Sequence, residues 1–275
     1  MVDSPGLSMA NIVLSMMEMS IYRKEEGMAR SHVGFFIRLR HAIKLFCYCI
    51  GVGEVMRRCV IKIEERLKSR KLCKYGASML QRVTQALSAE KVQHFAEFGT
   101  LLGIIREGKL LDHDTDMDFA LPPDAAADIA LESLLANGFN FYWGFEYDGQ
   151  ITEFTLVWED IHVDFFLYFR DDEGCFYYQD YVDNYDKTHS RIVSWTPRRY
   201  KYPSLKGIAY RSVYGIEVPV PENYDEWLTA QYGNWRIPNK NWDYTKDANM
   251  ARMRILTGKV KTVGLDRTLE LLRRQ

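Results

Sequence analysis

Hydrophobic and polar positions follow two different periods between residues 77 and 170. Apolar residues at helical spacing predict helices over 77–91, 101–107 and 124–136. Alternating or continuous apolar runs predict strands over 92–98, 117–121, 139–147, 152–158 and 163–170. The turn-forming pairs Asp148-Gly149 and Glu159-Asp160 separate the last three strands, which are therefore predicted to form a β-meander. This order favours an α+β fold in which a mixed sheet is flanked by helices.

A basic helical region precedes these elements. Apolar residues recur every three or four positions and predict one face of an amphipathic helix: Phe36, Leu39, Ile43, Phe46 and Ile50. A second amphipathic helix is predicted around Cys59, Ile63 and Leu67. Residues 33–74 contain eleven Lys and Arg against three Glu, a net charge of +8 in a chain whose total is −1. We therefore expect a basic helical region over 1–85 and an α+β domain over 86–275.

The basic side of these helices has two interpretations. Either the helices pack on the rest of the chain with a solvated basic side, or they lie on an anionic membrane surface. In the second case each basic residue contributes about 1 kcal/mol, and salt weakens the binding. Nucleic acid is not an expected partner, because no nucleic-acid-binding motif accompanies the basic run and its aromatic residues lie on the apolar face.

Composition and cysteine usage favour a folded cytoplasmic protein. Hydrophobic residues make up 47% and charged residues 27% of the 275 residues, a profile typical of globular chains. The five cysteines are odd in number and lack the paired spacing of a zinc site, which suits reduced thiols. Residues 1–20 lack the basic start and apolar run of a secretory signal. Three basic residues interrupt the apolar stretch 33–50, so no transmembrane helix is predicted.

Aspartates occupy every second position in one short segment: Asp112, Asp114, Asp116 and Asp118. In an extended chain their carboxylates point to one face, about 6.5 Å apart, and repel one another unless a cation lies between them. Such oxygen ligands suit Mg²⁺ or Mn²⁺. An EF-hand does not fit, because neither register supplies the required Gly and Glu. A solvated acidic turn is the plain alternative, although apolar neighbours carry Asp116 and Asp118 into a predicted core strand.

Strings on either side of this row resemble a known family. Residues 98–108 (FGTLLGIIREG) and 113–118 (HDTDMD) closely resemble the LicD family, which includes the fukutin-related proteins and has the nucleotidyltransferase fold. Residues 214–224 (YGIEVPVPENY) and 232–235 (YGNW) resemble its closing motif, so the resemblance spans about residues 90 to 245. In the wider fold a Gly-Ser or Gly-Thr turn opens a helix, an Asp-x-Asp pair follows on the next strand, and a third carboxylate comes from a later strand.

The resemblance implies roles for particular residues. Asp116 and Asp118 are expected to bind Mg²⁺ or Mn²⁺, and the third acid is taken as Asp164 in the apolar run 161–168. Asp164 would act either as a further metal ligand or as the base that accepts a hydroxyl proton. Gly99 and Thr100 are expected to meet phosphate at a helix N terminus, with a plain tight turn as the alternative for Gly99.

Basic residues are the remaining candidates for phosphate contact. Arg106 is expected to neutralise phosphate, unless it is a solvated helix residue. A basic region after the meander could bind pyrophosphate or form an ordinary surface loop: Lys187, Arg191, Arg198 and Arg199. His113 either orients a neighbouring carboxylate or has no catalytic role.

The resemblance also implies a reaction. It predicts a metal-dependent transferase that moves a phospho-alcohol group, such as phosphocholine or a polyol phosphate, from a CDP-linked donor to a hydroxyl of a glycan or lipid-linked glycan. Such an enzyme would be cytoplasmic, with peripheral binding to the inner face of the membrane as a further expectation. The alternatives are a glycosyltransferase that uses Asp-x-Asp with a nucleotide sugar, a nucleotidyltransferase, and a non-catalytic membrane or scaffold module.

Overall fold

The structure is a computed structural model that describes residues 53–170, 176–186, 191–239, 242 and 253–275. The helix predicted over 33–50 and the side chain of Lys187 lie outside these residues. By its internal contacts the chain divides into two units, Met1–Ile63 and Glu64–Gln275. The sheets and the candidate site belong to the second unit.

A single helix, α1, runs from Gly53 to Ala89. The sequence predicted separate helices around residues 59–67 and over 77–91, and this division is wrong. Gly76 lies in the joining segment, where an added Cβ would come within 2.6 Å of a methyl carbon of Leu110. The glycine therefore permits close packing and does not end the helix. The predicted domain boundary at residue 85 falls within α1, and no described helix is long and apolar enough to cross a membrane.

Six strands form the main sheet. These six strands are β1 (Phe95–Ala96), β2 (Asp116–Leu121), β3 (Asn140–Tyr147), β4 (Gln150–Trp158), β5 (Ile161–Leu167) and β12 (Val260–Val263). Their order is β1-β2-β5-β4-β3-β12. β2 and β5 are parallel, whereas the other neighbours are antiparallel. The predicted mixed sheet is thereby confirmed.

The predicted meander corresponds to β3, β4 and β5. Both turn residues have positive φ in each connection: 49° and 78° at Asp148 and Gly149, and 51° and 59° at Glu159 and Asp160. Two successive positive φ angles match the twist of antiparallel strands, which is why such pairs form tight hairpins. By contrast, the strand predicted over 92–98 is confined to β1, because helix α2 (Phe98–Glu107) already begins at Phe98.

The remaining elements surround this sheet. The helices are α2 (Phe98–Glu107), α3 (Ala127–Ala136), α4 (Tyr224–Tyr232) and α5 (Leu265–Leu272). The other strands are β6 (Phe169–Arg170), β7 (Phe176–Asp186), β8 (Arg191–Lys201), β9 (Ile208–Val213), β10 (Ile216–Pro221) and β11 (Met253–Ile255). β9 pairs with β10, and β11-β8-β7-β6 form a four-stranded sheet.

A ladder of phenylalanines fixes the register of the central strands. Phe119 of β2, Phe165 of β5 and Phe154 of β4 are cross-strand partners and are fully buried. The rings of Phe119 and Phe165 stack with centroids 5.6 Å apart, and those of Phe154 and Phe165 with centroids 5.1 Å apart. Since a slip of one residue would turn these rings out of the core, the buried face dictates which residues occupy the opposite face.

A buried acid connects the start of α2 to α4. Glu97 is 1% exposed, and the indole N–H of Trp227 donates to both of its carboxylate oxygens at 2.9 Å. Trp227 in turn packs edge to face on Phe95, with ring centroids 5.3 Å apart. Burial raises the pKa of Glu97 to about 8, although the Trp227 hydrogen bond opposes the shift. Glu97 is therefore protonated at neutral pH in the folded chain.

Replacing Glu97 by Gln should make the metal-free protein relatively more stable as the pH rises. The unfolded chain ionises this carboxyl near pH 4.5, whereas the folded chain retains the proton until about pH 8. Glu97 therefore contributes its full stability below pH 4.5, and this contribution is lost as the pH rises towards about 8. Urea unfolding in EDTA should show Glu97→Gln gaining a few kcal/mol on wild type across this range, whereas the exposed control Glu90→Gln gains none. A pH-independent difference would contradict the account.

Candidate active site

The parallel register of β2 and β5 brings the predicted acids together. Asp118 lies opposite Asp164, and Asp116 lies opposite His162. Adjacent strands are about 4.8 Å apart, and residues two apart share a face. Asp116, Asp118 and Asp164 therefore lie on one face of the sheet, opposite to the phenylalanine ladder, and each is half-buried.

The row of four aspartates begins in an exposed turn and ends in strand β2. Asp112 and His113 lie in an exposed turn, and Asp112 forms an ion pair with Lys109 at 2.6 Å. Only Asp116 and Asp118 belong to the strand. Asp114 lies between the turn and the strand and packs against the start of α2. The alternation of aspartates in the sequence therefore corresponds to a β-strand only at Asp116 and Asp118.

Burial and mutual repulsion raise the pKa values of the clustered carboxyls. The pKa of Asp118 is raised well above its usual range by burial and by the charges of Asp116 and Asp164. Burial, followed by the charge of Asp116, raises the pKa of Asp164 and of Asp114 to about 7 in each case. Burial also raises the pKa of Asp116, although the charge of Lys68 opposes this shift. The site has more negative than positive charge.

The donor set fits a hard divalent cation, although it is not preassembled around one. Among the described residues, no group of three or more His, Cys, Asp or Glu side chains forms a ready metal site. The chemistry of the set is nevertheless suitable, because carboxylate oxygens are the preferred ligands of Mg²⁺ and Mn²⁺. A cation would also relieve the repulsion that raises these pKa values.

The Gly-Thr turn holds two of the acids in position. The hydroxyl of Thr100 accepts a hydrogen bond from the backbone N–H of Asp118 at 2.9 Å, and Thr100 is 1% exposed. A Cβ on Gly99 would come within 2.5 Å of Oδ2 of Asp114. A larger residue at this position would therefore require that carboxylate to shift from the helix N terminus, where anions are favoured.

Arg106 lies in the last turn of α2, away from the Gly-Thr turn. Its guanidinium donates to the backbone carbonyl of Trp235 at 3.3 Å and to Glu107 at 3.0 Å. Its side chain is 15% exposed, so it is not a solvated helix residue. Its charge lowers the pKa of Asp114, against the larger effects of burial and neighbouring acids. Arg106 is thus close enough to act on the acid cluster electrostatically.

The basic region after the meander belongs to another sheet. Arg198 and Arg199 lie on β8, opposite Asp180 and Gln179 of β7, and Arg191 is the first residue of β8. These strands pair with β6 and β11 and not with the strands that carry the acids. The alternative of an irregular surface loop is therefore wrong for Arg198 and Arg199. No described hydrogen bond or ion pair joins either residue to the acid cluster.

Sequence reasoning missed a hydrogen-bond relay that ends on Asp164. Thr155 of β4 is the cross-strand partner of Asp164, and its hydroxyl donates to Oδ1 of that residue. The indole N–H of Trp143 donates to the same hydroxyl oxygen at 2.9 Å. Since an indole can only donate, the Thr155 proton is directed to Asp164. Only the cross-strand register reveals this relay, because nothing in the local sequence marks Thr155.

Helix α1 also contributes a cation that the sequence assigned to the basic segment. The charge of Lys68 lowers the pKa values of Asp116 and Asp164, against the larger effect of burial. The next residue, Ser69, donates to the backbone carbonyl of Asp112, and Lys71 pairs with Asp160 at 2.6 Å. These contacts attach α1 to the segments that precede β2 and β5. One basic residue of the helix is therefore close enough for its charge to act on the acids.

The relay predicts energetic coupling between Thr155 and Asp164. Thr155→Val keeps the shape of this buried side chain but leaves the Trp143 N–H and Asp164 Oδ1 without their partner, which should cost about 1–3 kcal/mol. Thr155→Ser should restore most of that loss. In a double-mutant cycle by urea unfolding, Thr155→Val should cost less when Asp164→Ala, which removes the acceptor oxygen, is already present. Thr152→Val, at another buried threonine of β4, should combine additively with Asp164→Ala. Additivity for Thr155→Val would rule out the relay.

Solved structures that match part of the chain include lincosamide antibiotic adenylyltransferase LnuA bound to lincomycin. It shares 12% identity, with a TM-score of 0.34, over 53% of this chain and 80% of its own. A protein from Thermotoga maritima, described as a nucleotidyltransferase, shares 16% identity, with a TM-score of 0.35, over 57% of this chain and 83% of its own. Likenesses at this level carry no argument about function. No curated protein matches the chain.

A family model matches the part of the chain that carries the acids. Residues 91–223 match the model described as LicD/FKTN/FKRP, nucleotidyltransferase domain. The matched region includes the Gly-Thr turn at Gly99, the strand pair that bears the three acids, and the first part of the closing motif. The resemblance seen in the sequence is thus confirmed. Residues 91–223 of this chain are therefore similar to the nucleotidyltransferase domain of the LicD family.

Proposed function

We propose that this protein is a metal-dependent transferase that moves a phospho-alcohol group from a CDP-linked donor to a hydroxyl of a glycan or lipid-linked glycan. The observation that carries the proposal is the placement of Asp116, Asp118 and Asp164 on one face of two parallel strands. The match of residues 91–223 to the LicD family model supports a transferase. The donor, the acceptor and the metal are the proposed refinements.

In this proposal Asp116 and Asp118 hold Mg²⁺ or Mn²⁺ with their carboxylate oxygens. The bound cation supplies positive charge for the phosphoryl oxygens. Lys68 adds a protein cation on the same side, since its charge already acts on Asp116 and Asp164. The N terminus of α2 at Gly99 and Thr100 is the proposed phosphate contact, and the carboxylate of Asp114 already lies there.

Asp164 is proposed to act through one oxygen. Oδ1 accepts the hydrogen bond of Thr155, whereas Oδ2 has no hydrogen-bond partner among the described residues. Two roles are open to Oδ2, namely binding the cation and accepting the proton of the attacking hydroxyl. In either role the relay from Trp143 prevents rotation of the carboxylate, so Oδ2 keeps a fixed direction.

Two alternative functions, a glycosyltransferase and a non-catalytic module, fit the structure less well. A glycosyltransferase using Asp-x-Asp usually has a nucleotide-binding βαβ unit ahead of that motif, whereas residues 53–89 form one helix. A non-catalytic module would have no reason to keep three acids together at a cost in stability. Location in the cytoplasm and binding to an anionic membrane surface stay predictions, and residues 33–50, where the sequence predicts a helix, lie outside the described residues.

The nucleotide product distinguishes these activities. The full chain, with Mg²⁺ or Mn²⁺, should release CMP from a CDP-alcohol when a glycan acceptor is present. UDP from a nucleotide sugar would instead indicate a glycosyltransferase, and pyrophosphate from a nucleoside triphosphate a nucleotidyltransferase. Asp118→Asn should lower CMP release at least about a thousandfold, because the metal loses a ligand where charge develops.

Asp112→Asn is the matched control for that variant. Asp112 belongs to the same row of aspartates, but its side chain is 72% exposed and pairs with Lys109. The Asp112→Asn variant should therefore keep nearly full activity. Undiminished CMP release in EDTA, or equal loss in both variants, would contradict the proposed mechanism.

A further inference from the structure

A β-bulge turns two consecutive aromatic residues to the same side of β3. Phe141 pairs with Leu156 and Trp143 with Thr155, so Tyr142 is an extra residue in the ladder. In a regular strand Tyr142 and Trp143 would point to opposite faces. Here their ring centroids are only 4.5 Å apart. Bulges often redirect side chains beside functional sites.

These rings continue the acid-bearing face of the sheet. Trp143 is joined to Asp164 by the Thr155 hydroxyl. The ring of Tyr142 lies 4.8 Å from that of His162, whose cross-strand partner is Asp116. The hydrogen bonds from Trp143 to Thr155 and from Thr155 to Asp164 place the indole nitrogen within about 6 Å of the Asp164 carboxylate. The three side chains Tyr142, Trp143 and His162 are called the aromatic platform below.

The aromatic platform has an outward surface. Tyr142 is 50% exposed, although its ring contacts those of Trp143 and His162, at interplanar angles of 50° and 37°. Exposed aromatic residues are ordinary when isolated, but a half-exposed ring held by two others beside a group of half-buried acids offers a surface to a ligand. Such a surface offers π-stacking to a planar ligand without reading its hydrogen-bonding edge.

We propose that the aromatic platform stacks the base of the nucleotide donor while the acid cluster receives its phosphates. The inference rests on the proposed function, because it requires a nucleotide substrate. A planar base suits a single outward ring surface. A quaternary ammonium group, by contrast, is usually enclosed by several rings that face a common point. The platform is continuous with the acid face, so one extended ligand can contact both.

Equilibrium binding measurements distinguish contacts to the base from contacts to the phosphate. Isothermal titration with Mg²⁺ should compare CMP, ribose 5-phosphate and phosphocholine on the wild-type chain, Tyr142→Ala and Tyr142→Phe. Tyr142→Ala should weaken CMP binding about 5- to 100-fold, the range expected for one lost base–aromatic stack. Binding of ribose 5-phosphate should not change, and Tyr142→Phe should bind CMP as wild type does. The exposed control Tyr210→Ala, on β9, should also leave CMP binding unaltered.

Several outcomes would overturn the platform. Unchanged CMP binding by Tyr142→Ala, or an equal loss for CMP and ribose 5-phosphate, would mean that the ring does not stack the base. If Tyr142→Ala weakened only the binding of phosphocholine, the rings would bind a cationic group and not a base, which would also contradict the inference. CMP binding that depends on Tyr142, without CMP release from CDP-alcohols, would leave the platform supported and refute only the proposed reaction. Wild-type protein that binds no nucleotide would refute both.

Discussion

The parallel pairing of β2 with β5 is the constraint on which the candidate site depends. Stacked phenylalanines on the buried face fix its register, and the alternation of a β-strand then places Asp118 beside Asp164 on the other face. The same register that buries apolar surface thus forces carboxylates together. Their raised pKa values measure the cost of this arrangement.

The surrounding structure reduces this cost without removing it. Thr155 stabilises the ionised form of Asp164, Thr100 holds the backbone of Asp118, and Lys68 contributes a positive charge. The two hydrogen bonds also fix the direction of one Asp164 oxygen and of the Asp118 backbone before any ligand arrives. A fold that keeps unfavourable charge in fixed geometry is typical of catalytic sites, where binding of a cationic partner offsets the repulsion.

Local sequence patterns predicted the elements better than the contacts between them. The meander followed from its two turn pairs, and the acid-bearing strand from apolar residues after Asp118. The continuity of α1 was missed because Gly76 is explained only by the proximity of Leu110. Thr155 was invisible for a similar reason, since its partner is nine residues away across a strand pair. Lys68 was hidden in a run of like charges, where composition cannot show which residue faces the acids.

Thermal unfolding of Asp164→Asn, with EDTA and with Mn²⁺, tests the central claim that the three acids are a strained cation site. The substitution removes one repelling charge but retains an oxygen that can accept the Thr155 hydrogen bond. In EDTA the variant should melt at or above the wild-type temperature, and Mn²⁺ should raise the melting temperature of wild type more than that of the variant. A variant that is less stable in EDTA, together with a wild type that Mn²⁺ does not stabilise, would contradict the account.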